Sequence, residues 1–288
     1  MAGELLTGPV VCGVDESRAA ARAAQLAGRL AAELGAPAML VHAAAPTYVP
    51  GQRLADRHEQ IQHQASLDRA GYTETVLAPI DVGENVPVER TLEFGEADEV
   101  LRTVARRVGA ALVVIGFKGL SALEDALLGS TTSALVRDCP SPVVLSPDLV
   151  SRIPGEAVVC GVDGSPGATA AAVYALELAD RLGVRLLLCH VDDGDGEESA
   201  LDNALAAVRT RAGDTPVEGV LRQGQIAEEL IEVARESDAG IVAVGSRGRG
   251  AFKSVLLGSV SRRLLQRADR PVLVVSPSAA ESAAPGDA

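Results

Sequence analysis

Tryptophan is absent from the 288 residues, and aromatic side chains of all kinds amount to 2% of them. A core that cannot rely on ring packing must be built from Ala, Val and Leu, and a 47% hydrophobic content supplies enough of them. Positive charge is also scarce, with 26 Lys and Arg against 39 Asp and Glu, a formal net charge of -13 and a pI near 4.8. Such a field repels a phosphodiester backbone, so nucleic acid is not an expected partner. No apolar run approaches the roughly 20 residues of a membrane-spanning helix, and the opening MAGELLTGPVV lacks the basic start of a signal peptide. A cytoplasmic protein with no membrane segment is expected. The four cysteines, Cys12, Cys139, Cys160 and Cys189, form no C-x-x-C pair. Three of them lie in apolar, strand-like runs, and they read as small buried hydrophobes rather than as a disulfide frame or a metal site.

What the chain does contain is itself, twice. VVCGVDESRAAARAAQLAGRLAAELGAPAMLVHA near the start matches VVCGVDGSPGATAAAVYALELADRLGVRLLLCHV in the middle, which pairs Asp15 with Asp163 and His42 with His190 at an offset of 148. Further along the offset falls to 129, as for Gly95 with Gly224, Gly116 with Gly245 and Pro142 with Pro271, so the first half carries 19 extra residues between His42 and Gly95. AAPTYVPGQRLADRHEQIQHQ, at about 44–64, is the natural place for them, as a surface insertion or as a lid or partner surface. Length alone suggests two domains. The expected units are 1–148 and 155–278, separated where Pro147, Pro154 and Gly155 interrupt the pattern, with a disordered tail over 279–288.

Within each half short Val-rich runs such as PVVCGV and AVVCGV alternate with Ala- and Leu-rich stretches of helical period, for which Ser17 and Ser165 are placed as N-caps. Five strands and four helices per half predict an α/β chain of two tandem, right-handed, doubly wound domains. Each is a five-stranded parallel sheet with helices on both faces. Ligands of such sheets bind at the carboxyl ends of the strands, where the strand order reverses.

The stretches GFKGLSALEDALLGS and GSRGRGAFKSVLLGS sit at that end in both halves. Gly116, Gly119, Gly129 and Ser130 recur at the same spacing as Gly245, Gly248, Gly258 and Ser259. Gly116 and Gly245 are expected to turn the chain sharply after a buried strand and to let a ligand approach the backbone. Gly129-Ser130 and Gly258-Ser259 are expected to open a helix whose unpaired N–H groups favour an anion, with Thr131, Thr132 and Ser261 adding hydroxyls. Together they suit a di- or triphosphate, although in either half alone the same residues also read as a plain turn and a capped helix. Neither a G-x-x-x-x-G-K-[ST] loop nor a G-x-G-x-x-G after the first strand is present, so a P-loop NTPase and a dinucleotide dehydrogenase are not supported.

Asp15 and Asp163 at strand ends, the His-bearing second strands, and the G-x2-G-x9-G-[ST] loop followed by SPVVLS or RPVLVV resemble the universal stress protein family in tandem form. The loop resembles that of its ATP-binding branch. The resemblance implies a Rossmann-like fold of the adenine nucleotide alpha hydrolase type and a site for ATP, with Mg2+, in each half. It further implies that Asp15 and Asp163 hold the ribose hydroxyls, a task for which a carboxylate has enough acceptors. Gly13, Val14, Gly161 and Val162 would line the adenine, the backbone of Val41 and Cys189 would meet it, and Ile115 and Val244 would lie beneath it. The loop glycines with Ser130 and Ser259, next to Val260, would hold the phosphates, and Lys118 and Arg247 would screen their charge. Glu124 and Asp125 in the first loop, where the second has Lys253 and Ser254, would repel a triphosphate or help hold Mg2+ through water.

His42 and His190 read as structural, with no partner in the sequence to orient them. His58 and His63 are five residues apart, off the helical spacing of metal ligands, and no protein metal site is expected. No catalytic residue emerges, since neither a positioned base nor an arginine finger is legible. The expected function is therefore that of an ATP-binding stress or dormancy regulator, read by an unknown protein partner, rather than of an efficient enzyme. Two alternatives remain: an ATP-using enzyme with slow hydrolysis or adenylyl or phosphoryl transfer, and a nucleotide-free scaffold. The apolar strands SPVVLS and RPVLVV, which a protein must cover, are expected to pair with each other within the chain, so that one chain resembles a dimer of single-domain relatives. Whether two chains then form a homodimer is left open.

Overall fold

The structure is a computed structural model and describes residues 5–44, 77–83, 86–117, 129–147, 153, 155–192, 199–248 and 257–283. In the first half the strands are β1 (Val10–Gly13), β2 (Ala38–Ala44), β3 (Val88–Phe94), β4 (Leu112–Phe117) and β5 (Val143–Pro147). Between them run helices α1 (Arg18–Leu34), α2 (Ala97–Val108) and α3 (Ser130–Asp138). The second half has β6 (Ala157–Gly161), β7 (Arg185–Asp192), β8 (Val217–Gln223), β9 (Ala239–Gly245) and β10 (Val272–Val275). Its helices are α4 (Pro166–Leu182), α5 (Ser199–Arg209), α6 (Ile226–Glu236) and α7 (Ser259–Arg267), and α8 (Pro277–Ala283) closes the described chain.

The ten strands form a single sheet in the order β3-β2-β1-β4-β5-β10-β9-β6-β7-β8. Within each half every pairing is parallel, and the order reverses between β1 and β4 and again between β6 and β9. The halves meet through β5 and β10, which pair antiparallel with Leu273 opposite Val144 and Val274 opposite Val143. The expected pairing of the last strands is thus what joins the halves. Because that pairing is antiparallel, the carboxyl ends of the two sets of strands point to opposite edges of the common sheet.

Alternation along each strand sends side chains to two layers of core, and both layers run through the junction. One joins α1 and α4 to Val144 and Leu273, and the other joins α2, α3, α6 and α7 to Val143, Leu145, Val272 and Val274. Alanine lets the helices sit close to the sheet: Ala23, Ala24, Ala27 and Ala31 of α1 are wholly buried. Ser17 caps α1 by accepting from the Ala20 amide at 3.1 Å, and Ser165 caps α4 through Ala168 at 3.2 Å, as their spacing predicts.

Two sequence expectations are corrected. Gly116 lies inside β4 and Gly245 ends β9, both without a positive φ, so neither makes a sharp turn. A Cβ on Gly116 would stand 2.4 Å from the Ala19 carbonyl oxygen, and one on Gly245 2.8 Å from the Gly167 carbonyl carbon. The first turn of α1 crosses directly over β4 and that of α4 directly over β9, and only glycine leaves room for them. The tail read as disordered from 279 is helical to Ala283, and Ala279 is fully buried. Ser276 accepts from the Ala279 amide at 3.0 Å, donates to the Cys139 carbonyl at 2.6 Å, and so caps α8 while tying it to the first half. Tyr174 of α4 donates to the Ala279 carbonyl at 3.1 Å. The Ser-Pro start of α8 repeats that of α4, which is the signal that could have revealed it.

All four cysteines are buried and free. Burial pushes the Cys139 thiol up to about 11 and the Cys189 thiol up to about 12, and it raises Cys12 and Cys160 further still. Thiolate is the reactive form, so a thiol reagent at pH 8 is expected to label none of the four in the folded protein and all of them in denaturant. Rapid labelling of the native chain, counted by mass spectrometry, would contradict this packing.

Candidate functional site

At each reversal of strand order a carboxylate follows the strand end by two residues, placed there by hydrogen bonds that are the same in both halves. Gly13, the last residue of β1, lies in register with Val41 and Ile115, and Gly161 lies opposite Cys189. One residue on, the Val14 amide donates to the Val41 carbonyl and the Val162 amide to that of Cys189, each at 2.9 Å. Asp15 and Asp163 come next. Each uses Oδ1 to accept from the Ser17 or Ser165 amide at 2.9 Å, which draws the carboxylate toward the entrance of α1 or α4. Asp15 is exposed and Asp163 half-buried, whereas Val14, Val41, Ile115, Val162, Cys189 and Val244 are at most 6% exposed and form the floor.

Gly129 and Gly258 are the N-caps of α3 and α7, and neither helix has a side-chain cap. This separates them from α1 and α4, whose first turns are satisfied by their own serines. Ser130 and Ser259 are exposed, Thr131 and Val260 half-buried, and Thr132 and Ser261 buried. Ser261 does not offer its hydroxyl outward as expected, because it donates to the Gly245 carbonyl at 2.9 Å and fastens α7 to the end of β9. In the second half the parts converge. The Gly258 amide donates to the Ser246 carbonyl at 2.9 Å. A Cβ on Gly258 would be 3.7 Å from the Gly248 nitrogen, and one on Gly248 would be 2.5 Å from Asp163 Oδ2. Strand-end carboxylate, loop glycine and open helix end are therefore contiguous. In the first half Lys118, Gly119, Glu124 and Asp125 lie outside the described residues, as do Lys253, Ser254, His58, His63 and nearly all of the insertion at 44–64.

Two features were not legible beforehand. Ser246 Oγ and Arg247 Nε are buried with no hydrogen-bond partner among the described residues, a loss of about 1–3 kcal/mol for each polar group left so. Both belong to the loop between the strand end and the α7 cap, so a ligand rich in acceptors fits the loop's chemistry, and the glycine at 248 leaves the space beside Asp163 that a Cβ would fill. The repeat held a signal for Ser246, since the first half has Phe117 at the matching position. His42 and His190 do have a partner: Nδ1 of each bonds the Val14 or Val162 carbonyl, at 2.8 and 2.9 Å. Among the described residues no group of three or more His, Cys, Asp or Glu side chains converges as metal ligands would. Likewise no helix is long and apolar enough to cross a membrane.

Fold and site together define a tandem, doubly wound α/β protein with a carboxylate and an open helix end at each strand-order reversal. The sequence model of the universal stress protein family matches residues 7–147 and 156–276, and the chain belongs to that family. It is 33% identical over 290 residues to a universal stress protein of Mycolicibacterium smegmatis, covering 93% of this chain and 97% of the relative. A universal stress protein of Mycobacterium tuberculosis is 32% identical over 304 residues, with 93% and 96% covered. Among solved structures, a universal stress protein from Archaeoglobus fulgidus superposes with a TM-score of 0.68 at 19% identity, over 93% of this chain and 98% of that one, which is a likeness of fold.

Proposed function

We propose that the chain binds an adenine nucleotide, ATP, at the strand-order reversal of each half and serves as a nucleotide-dependent stress or dormancy regulator rather than as an efficient enzyme. The observation that carries this reading is the contiguity of Asp163, Gly248 and the α7 N-terminus, which offers a ribose acceptor and a phosphate seat at one place. In this reading Asp15 and Asp163 accept from the ribose hydroxyls. The peptide edges at Gly13, Val14, Val41, Gly161, Val162 and Cys189 border the base, over Ile115 and Val244. Gly119, Gly129 and Ser130, with Thr131 and Thr132, hold the phosphates in the first half, and Gly116 lets α1 pack against the strand end behind them. Gly248, Gly258 and Ser259, flanked by Val260 and Ser261, hold them in the second, where Gly245 gives α4 its place, and Lys118 and Arg247 offset the charge. Mg2+, where bound, would accompany the phosphates and offset their charge. Efficient ATP hydrolysis is not required, and the bound state is what a partner protein reads. The units 1–148 and 155–278 each carry one site, and a cytoplasmic location suits the use of ATP.

The test is to denature freshly purified protein and quantify the released nucleotide by chromatography. About two ATP per chain are expected if both helix ends seat phosphate tightly. No release, followed by no binding on titration with ATP and Mg2+, would leave the nucleotide-free scaffold as the function.

A further inference from the structure

The carboxylates that follow β1 and β6 lie beyond the reach of strand pairing, in chain that has already left the sheet, yet both are reached by the same chain of bonds. The residue before each is gripped at both ends of its peptide units by consecutive residues of the neighbouring strand. Val162 donates its amide to the Cys189 carbonyl at 2.9 Å and its carbonyl is bonded by His190 Nδ1 at 2.9 Å. Val14 does the same with Val41 at 2.9 Å and His42 at 2.8 Å. From there the chain of bonds runs through the carboxylate to the helix: Ser165 amide to Asp163 Oδ1, then Ala168 amide to Ser165 Oγ, matched by Ser17, Asp15 and Ala20. Because a carbonyl only accepts, the ring nitrogen facing it must carry the proton, which fixes a neutral ring as the Nδ1–H tautomer. His190 is 3% exposed, and this bond links its ring to the residue before Asp163.

We infer that His42 and His190 are positioning residues for the nucleotide site: each replaces the missing strand pairing with a side-chain bond that sets the direction in which Asp15 or Asp163 leaves the sheet. The imidazole suits the task because it is short, rigid and fixed by its own strand, so the bond costs little side-chain entropy. The inference rests on the proposed nucleotide reading for its functional consequence, and on geometry alone for its structural one.

The experiment uses the full chain with Asp15→Ala silencing the first site, and three replacements of His190. Asparagine puts an amide N–H close to the place of Nδ1, glutamine puts it close to that of Nε2, and leucine supplies none. ATP affinity is expected to fall by about tenfold or more in His190→Leu and His190→Gln, the scale on which an unmade buried hydrogen bond acts, and to be largely restored in His190→Asn. Hydrogen exchange at the Ser165 amide, followed without nucleotide, is expected to accelerate in the Leu and Gln variants and to stay slow in Asn. Parent-like affinity and exchange in the Leu variant, or equal behaviour of Asn and Gln, would overturn the inference. Should the Leu variant not fold, the Asn and Gln pair decides. If the parent itself binds no ATP, the nucleotide reading fails, and Ser165 exchange still decides whether the histidines position the carboxylates.

Discussion

Replacing Val144 and Val274 together by lysine is expected to lower the melting temperature by at least about 15 °C, since each ammonium forced into an apolar interior costs several kcal/mol against a total stability of about 5–15 kcal/mol. Both valines are wholly buried. They face opposite layers of the core, Val144 beneath α1 and α4 and Val274 beneath the helices of the other face. The two charges therefore open both seams between the halves, and neither finds an acceptor in the strand opposite, where the partners are Leu273 and Val143. Leu221 on the edge strand β8 is 61% exposed and is the matched control. Lysine there is expected to change stability by no more than about 0.5 kcal/mol, the usual range for exposed positions. Thermal unfolding followed by circular dichroism measures both. Stability unchanged by the double substitution would mean that β5 and β10 do not carry the junction.

The second large effect falls on binding rather than stability. Gly248→Ala is expected to weaken ATP at the second site by about tenfold or more, because a Cβ 2.5 Å from Asp163 Oδ2 forces the carboxylate or the loop aside, and an angstrom of misplacement at a binding group acts on that scale. Gly248 is exposed and does not have a positive φ, so the fold should tolerate alanine with a melting temperature close to that of the parent. The contrast is with Gly245, where the clash is with the backbone of α4 and the loss would be of stability. Calorimetric titration with Asp15→Ala in the background isolates the site. Undiminished affinity in Gly248→Ala, with binding intact in the parent, would separate Asp163 from the nucleotide.

How much of this was legible in advance differs from residue to residue. The strand-end aspartates, the serine caps and the twofold repeat were readable because each depends on neighbours in sequence: period, spacing and the chemistry of a helix start. Gly116 and Gly245 were found for a mistaken reason, since nothing local says that the first turn of α1 or α4 passes over the strand at that point. The helix at Ser276 was missed because its composition is that of a tail, and its order comes from Tyr174, Cys139 and Asp138, all far away along the chain.

The sequence by itself determined the alternation of elements, the duplication, the family and the residue types at each strand end, because those follow from local pattern. The pairing of the last strands was expected from their apolar edges, but the tertiary structure set its register, with Leu273 opposite Val144, and its antiparallel direction, which turns the two candidate sites to opposite edges. The tertiary structure alone decided that Ser261 is turned inward, that Ser246 Oγ has no partner among the described residues, and that two histidines hold the chain ahead of the carboxylates. Each of these depends on atoms brought together across more than a dozen residues, where direction and distance are set by packing, and no spacing along the chain encodes them.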